Sequence, residues 1–236
     1  MNKEQLKGRT FVIVQGGSFN PPHYLHMRLF EMARDYVTKN GGEVYQGVMS
    51  PVGDTYSASG RMPDSKKIVT ATDRIALCEA STADSDWIVT DPWESEQSSY
   101  VPTIKLLDHV RDKYAEDAKK RGITDPAKVP RPLFLSGADL LASMNKPKSW
   151  EPIELKIIIK DYGMLCIERG GLDSSEFFKP GCQLEEYKDN VMFIEQDVQN
   201  NISSTLVRKF IAEGKSIKYL ISDKCIEYIK EHELYK

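Results

Sequence analysis

Short β-branched and aromatic runs alternate along the chain with stretches whose apolar positions return every three or four residues, the pattern that βαβ units impose on a sequence. The first run, TFVIVQ from Thr10, reads as a strand. After it Leu25, Leu29, Met32, Ala33 and Tyr36 share one helical face, so 23–39 is predicted to be an amphipathic helix, opened by Pro21 and Pro22 and closed at NGG. EVYQGVMS is a second strand ended by Pro51. Residues 51–64, PVGDTYSASGRMPD, are too polar and too rich in Gly and Pro for regular structure, and read equally as a substrate loop or as a solvated surface loop.

Further on, TATDRIALCEAST is predicted helical, DWIVTD a strand, VPTIKLLDHVRDKYAEDAKK a helix, and RGITDPAKVPRP a linker. LFLSGADLL reads as a strand entering a helix through a Gly turn. IELKIIIKDY fits strand or helix, while MLCIE and VMFIEQ are strands. Two helices close the chain, one starting near Ser203 and Ser204, the other capped by Ser222. With no internal repeat and no domain break, the expectation is an α/β fold. It is a single Rossmann-like, doubly wound parallel sheet with helices on both faces, one domain over 1–236 whose C-terminal helical part starts at about 202. Ligands are expected beyond the carboxyl ends of its strands.

Composition narrows the function classes. Of 236 residues, 40% are hydrophobic and 28% charged, an ordinary globular balance. The first ten residues contain no apolar signal region, and no apolar window approaches the length of a bilayer span, so neither secretion nor a membrane partner is expected. Cys78, Cys166, Cys182 and Cys225 are scattered without CxxC pairs, the pattern of reduced thiols in a cytoplasmic or nuclear protein. A net charge of −3 supplies no basic field for nucleic acid, so a small anionic ligand would need local charges.

Three constellations offer such charges. The first is GGSFNPPHYLH, residues 16–26, where a glycine turn meets a helix start and frees backbone N–H groups for a phosphate. The dinucleotide fingerprint GxGxxG fails here at Ser18 and Pro21, and GxxxxGK[ST] occurs nowhere. His23 and His26 lie three apart on one face. As imidazolium groups they could donate to phosphoryl oxygens; alternatively one is a surface histidine and the other packs the helix start. The second is ISSTLVR, residues 202–208, with hydroxyls at a helix start and Arg208 one turn on, able to converge on a polyphosphate; taken alone it reads more readily as an ordinary N-capped helix with a surface Arg. The third joins Trp93, Tyr100 and Thr103 with Asp139 and Trp150, rings able to stack on a base and a carboxylate able to bind a ribose, although core packing is the more frequent fate of any single Trp.

GSFNPPHYLHMRLFEMA, SPVGDTY, WIVTDPWESEQSSYVPT, SGADLL, NNISSTLVRKFI and SIKYL together resemble the nicotinamide mononucleotide adenylyltransferases, eukaryotic type, of the HxGH nucleotidyltransferase superfamily. The resemblance runs from about Val12 to Tyr235. It implies adenylyl transfer from ATP to nicotinamide or nicotinate mononucleotide in NAD biosynthesis, with Mg²⁺ held mainly by substrate phosphates and no protein metal site. The partners it implies are small-molecule nucleotides, without nucleic acid or membrane, acting on a homo-oligomer.

The same resemblance assigns residues. Catalysis falls to His26 and Arg208. ATP falls to Ser18, Phe19, His23, His26, Gly137, Asp139, Ser203, Ser204, Thr205 and Arg208. The pyridine nucleotide falls to Gly17, Ser18, Trp93, Tyr100, Thr103, Trp150, Arg169 and Asn200. Three departures stand out: His23 replaces the usual Thr, Leu25 the Gly of the bacterial pattern, and SASGRMPD the lysines expected after SPVGDTY. Arg61, Lys66 and Lys67 are candidates to substitute for the missing Lys. Competing readings are another small-molecule nucleotidyltransferase or a non-enzymatic nucleotide-binding or chaperone role on the same scaffold. A redox enzyme is disfavoured because its glycine fingerprint is missing.

Overall fold

The computed structural model describes residues 1–58, 68–146, 150–168 and 174–236. Arg61, Lys66, Lys67 and Arg169 therefore lie outside the described residues. Six strands, β1 (Thr10–Gly17), β2 (Glu43–Pro51), β3 (Ile88–Thr90), β4 (Arg131–Gly137), β5 (Met164–Ile167) and β6 (Val191–Ile194), form one sheet in the order β3-β2-β1-β4-β5-β6. The sheet is parallel and flanked by helices, a Rossmann-like arrangement. The chain steps outward from β1 to β3, returns beside β1 at β4, and steps outward again. Such a reversal opens a crevice at the strands' carboxyl ends.

Helix α1 (Tyr24–Lys39) follows β1, α2 (Thr55–Ala58) and α3 (Ala71–Thr82) precede β3, and α4 (Thr103–Lys120) precedes β4. Then come α5 (Ala138–Met144) and α6 (Pro152–Leu155), and the chain closes with α7 (Ser204–Ala212) and α8 (Asp223–Glu231). Side chains cap helix starts at Thr70, Ser203 and Ser222, which each accept a backbone N–H, from Asp73, Leu206 and Cys225, all at 3.2 Å. Among the described residues no helix is long and apolar enough to cross a membrane.

Two sequence expectations are revised. The ambiguous IELKIIIKDY is helical: α6 runs on as a π-helix over Lys156–Tyr162. Its buried positions, Leu155, Ile158, Ile159 and Tyr162, follow a helical face and break the alternation of a half-buried strand. Gly163 ends it at φ +107, where a Cβ would stand 2.9 Å from Leu133 Cδ2, so both conformation and space require glycine. The polar segment after Pro51 is not wholly irregular either. Beyond Gly53 no breaker interrupts Thr55–Ala58, which form one turn, with the Tyr56 N–H donating to the Gly53 carbonyl at 3.1 Å.

The chain divides into two compact units, each assembled from three segments. The first comprises Met1–Gln15, Leu29–Gly47 and Thr103–Gln199; the second comprises Gly16–Arg28, Val48–Pro102 and Asn200–Lys236. In the first, Phe11, Ile13, Phe30, Leu107 and Leu133 are sealed from water. In the second, Leu77, Val207, Ile217, Ile221, Cys225 and Ile229 join α3, α7 and α8 in an apolar cluster. Burial of that kind, at about 25 cal/mol per Å² of apolar surface, outweighs the weak intrinsic helicity of the nine-residue α7 and α8.

Candidate active site

The second unit carries the glycine turn, both histidines and the ISSTLVR segment. After β1 the backbone turns at Gly17, and Phe19 adopts φ +42, a left-handed conformation that a bulky residue keeps only when its surroundings enforce it. The Phe19 ring is buried and closes over Gly17, where a Cβ would come within 3.2 Å of Phe19 Cζ. It also meets the His26 ring edge-on, with centroids 5.0 Å apart. A glycine at 17 thus allows the placement of Phe19, and Phe19 helps set the plane of His26.

His23 and His26 stack, with centroids 3.7 Å apart and planes at 19°. The His23 backbone N–H donates to His26 Nδ1 at 3.1 Å. Burial pushes the His23 imidazole down to about 4, and it pushes His26 well below the ordinary value, with repulsion from His23 adding to the effect. Neutral His26 accepts on Nδ1, so its proton sits on Nε2. The sequence expectation of imidazolium donors changes accordingly. A buried His23 ring stacked on a half-buried His26 ring does not let both hold charge, and what the fold presents is a neutral N–H donor.

The start of α7 is tied to the turn that precedes α1. Ser204 Oγ donates to the Pro21 carbonyl at 2.8 Å. Arg208 donates through Nη1 to the Asn20 carbonyl at 2.6 Å and through Nη2 to Thr205 Oγ1 at 3.3 Å. Ser203 is the N-cap, and Asn200 Oδ1 accepts the Ile202 N–H at 2.8 Å, shaping the approach to the cap. First-turn amides of a helix have no partners within it, and the helix dipole makes that end positive. Hydroxyls, amides and a guanidinium therefore gather beside the turn that holds His26.

Arg74 and Glu94 were missed by the sequence reading. The Arg74 side chain is fully buried and donates to the carbonyls of Val69 (3.1 Å), Ser18 (3.4 Å) and Val52, with an ion pair to Asp54 at 3.1 Å. It knits the glycine turn to the loop after β2. The signal was available: Arg74 lies three and four residues before the buried Leu77 and Cys78, a charge on an otherwise apolar stripe. Trp93, expected at the pyridine ring, donates its backbone N–H to Asp91 Oδ1 at 3.1 Å, and the Tyr100 ring stacks near Tyr56 at 6.2 Å.

Beside Trp93 the buried Glu94 carboxylate accepts from Ser50 Oγ at 2.9 Å. Burial pushes its pKa up to about 7, against the opposing pull of Ser50 and Arg74. A raised carboxyl pKa means that the unfolded chain releases its proton first. Stability on this account falls as pH rises from about 4.5 to about 7 and then levels off. Glu94→Gln keeps an acceptor for Ser50 without the charge. It is expected to raise stability by about 3 kcal/mol at pH 8 and by nothing near pH 4, measured by denaturant unfolding at both values.

The first unit holds the remaining predicted residues. Gly137 ends β4 and caps α5, and a Cβ there would meet nothing within 4 Å. Asp139 lies in the first turn of α5, and Thr103 begins α4. Trp150 Nε1 donates to Ser143 Oγ at 3.3 Å, which holds the ring. A separate cleft of about 780 Å³ in this unit is lined by Leu155, Phe178, Cys182 and Tyr187, among others, and contains none of the predicted residues. Among the described residues no group of three or more His, Cys, Asp or Glu side chains could hold a metal ion.

Known proteins resemble this chain in sequence and in fold. The cytidylyltransferase-like family model matches residues 14–210. The nicotinamide/nicotinic acid mononucleotide adenylyltransferase of Oryza sativa subsp. japonica is 39% identical over 99% of this chain and 89% of its own. The protein of the same name from Arabidopsis thaliana is 39% identical over 95% of this chain and 89% of its own. Among solved structures, Plasmodium falciparum nicotinic acid mononucleotide adenylyltransferase complexed with APC superposes with a TM-score of 0.65. It covers 96% of this chain and 97% of that one at 20% identity, a likeness of fold.

Proposed function

Since this chain belongs to the nicotinamide/nicotinic acid mononucleotide adenylyltransferases, we infer from its geometry how it joins ATP to a pyridine mononucleotide to give the dinucleotide and pyrophosphate. The mononucleotide phosphate attacks the α-phosphorus of ATP in line, and pyrophosphate leaves. No enzyme nucleophile is needed, so the protein contributes positioning and stabilisation of spreading negative charge.

The observation that carries this reading is the hydrogen bond from the His23 backbone N–H to His26 Nδ1. With Nδ1 occupied by the His23 amide, Nε2–H is a preorganised donor for a phosphoryl oxygen, and it needs no protonation to act. Arg208, Ser203, Ser204 and Thr205 serve the polyphosphate from the start of α7, and Gly17, Ser18 and Phe19 shape the turn that admits phosphate. Asn200, Trp93, Tyr100, Thr103 and Trp150 are assigned to the pyridine nucleotide, and Gly137 and Asp139 to adenosine. Substrate phosphates would hold Mg²⁺, and the chemistry it would supply there is neutralisation of phosphate charge. A homo-oligomer in the cytoplasm or nucleus belongs to the same proposal, supported for the compartment by four free cysteines, three of them buried.

A coupled assay of the purified chain with ATP and each mononucleotide tests the reading. Dinucleotide and pyrophosphate should appear in equal amounts. No product with either mononucleotide would refute it.

A further inference from the structure

Gln15 closes the buried run of β1, immediately before Gly16, and is 7% exposed. Its Oε1 is buried and has no hydrogen-bond partner among the described residues. The preceding positions, Phe11 to Val14, are apolar and sealed, so sheet packing gives no reason for an amide at the end of the strand. An unpaired buried acceptor is costly and calls for an explanation, an absent ligand among them.

Its position points to such a ligand. Val14 pairs with Phe134 in the parallel register, which sets Gln15 opposite Leu135 and on the same face of the sheet as Leu135 and Gly137. Gly137 leads directly into Asp139 at the start of α5. β1 and β4 are the strands between which the strand order reverses, and their carboxyl ends are where sheets of this kind take ligands.

We propose that Gln15 is a specificity-determining residue whose Oε1 accepts a hydrogen bond from an exocyclic N–H group of a bound nucleotide. The proposal rests on the adenylyltransferase reading. Two substrate groups share that chemistry: the carboxamide of nicotinamide mononucleotide and the 6-amino group of ATP. Each has a counterpart without the donor, since nicotinate mononucleotide presents a carboxylate and inosine triphosphate a carbonyl. A buried acceptor facing either is left unpaired, and a site built to bond a donor rejects an analogue that lacks it.

The test is kcat/KM of wild type, Gln15→Met and Gln15→Leu with four substrate pairs: ATP with each mononucleotide, and inosine triphosphate with each. One matched ratio should fall about tenfold or more in both variants while the other stays constant. A fall in the nicotinamide-to-nicotinate ratio assigns the carboxamide, and a fall in the ATP-to-inosine-triphosphate ratio assigns the adenine. Both variants should melt at or above the wild-type temperature, because they remove an amide that the free protein leaves unpaired. Unchanged ratios, or a marked loss of thermal stability, would overturn the proposal. Wild-type protein that forms no dinucleotide from any pair would instead overturn the adenylyltransferase reading beneath it.

Discussion

His26→Ala should lower turnover by about two orders of magnitude or more, the scale of losing one preorganised donor at a developing charge. KM for either mononucleotide should change little, because the interaction strengthens as charge spreads in the transition state. The geometry also separates His26 from an ordinary acid catalyst. Burial and the stacked His23 ring hold its pKa well below the usual value. Its Nδ1 is engaged by the His23 amide, so the donor is the neutral ring's Nε2–H. Raising the pH through the ordinary imidazole range should therefore leave the His26 contribution intact: the ratio of wild-type to His26→Ala turnover should be the same at pH 6 and pH 8. A variant within twofold of wild type would remove His26 from the chemistry. A ratio that collapses at pH 8 would restore the imidazolium.

Arg208→Ala carries the second large effect. Its guanidinium bonds the Asn20 carbonyl and Thr205 Oγ1, spanning the turn before α1 and the first turn of α7. Removing it takes away a polyphosphate donor and the brace that aligns the two segments. A drop in kcat/KM of about a hundredfold to a thousandfold is expected, expressed partly as a raised KM for ATP. Arg208→Lys should recover only a small part, since one ammonium does not reproduce a planar fork with two fixed partners. The apolar cluster of α3, α7 and α8 is untouched by either change, so both variants should unfold within about 1 kcal/mol of wild type. Steady-state kinetics in each substrate, together with denaturant unfolding, separates the effects. A variant that keeps its KM for ATP and most of its turnover would take Arg208 out of the phosphate site.

Much of the architecture was legible along the chain. Leu29, Met32 and Ala33 announced a helical face, and all three are buried. Ser222 announced an N-cap by type and placement, and it accepts the Cys225 N–H. In the second constellation the cap proved to be Ser203, while Ser204 turned its hydroxyl to the Pro21 carbonyl, a partner 183 residues away in sequence. No local pattern distinguishes two adjacent serines that differ only in what the fold brings alongside.

The sequence by itself determined what depends on near neighbours and residue type: the alternation of strands and helices, the caps, the failed dinucleotide fingerprint, and the motifs that carry the family resemblance. Tertiary structure decided what depends on the exclusion of water and on partners distant in the chain. Burial, with repulsion between the two rings, turned the charged donors expected of His23 and His26 into neutral ones, and burial made Glu94 titrate near neutrality. Arg74, an unremarkable charge within a helix, became the tie between the glycine turn and the following loop only when three backbone carbonyls converged on it. Periodicity and propensity are short-range and survive in a linear string. Desolvation and hydrogen-bond geometry act between atoms, and they come into being when the chain folds.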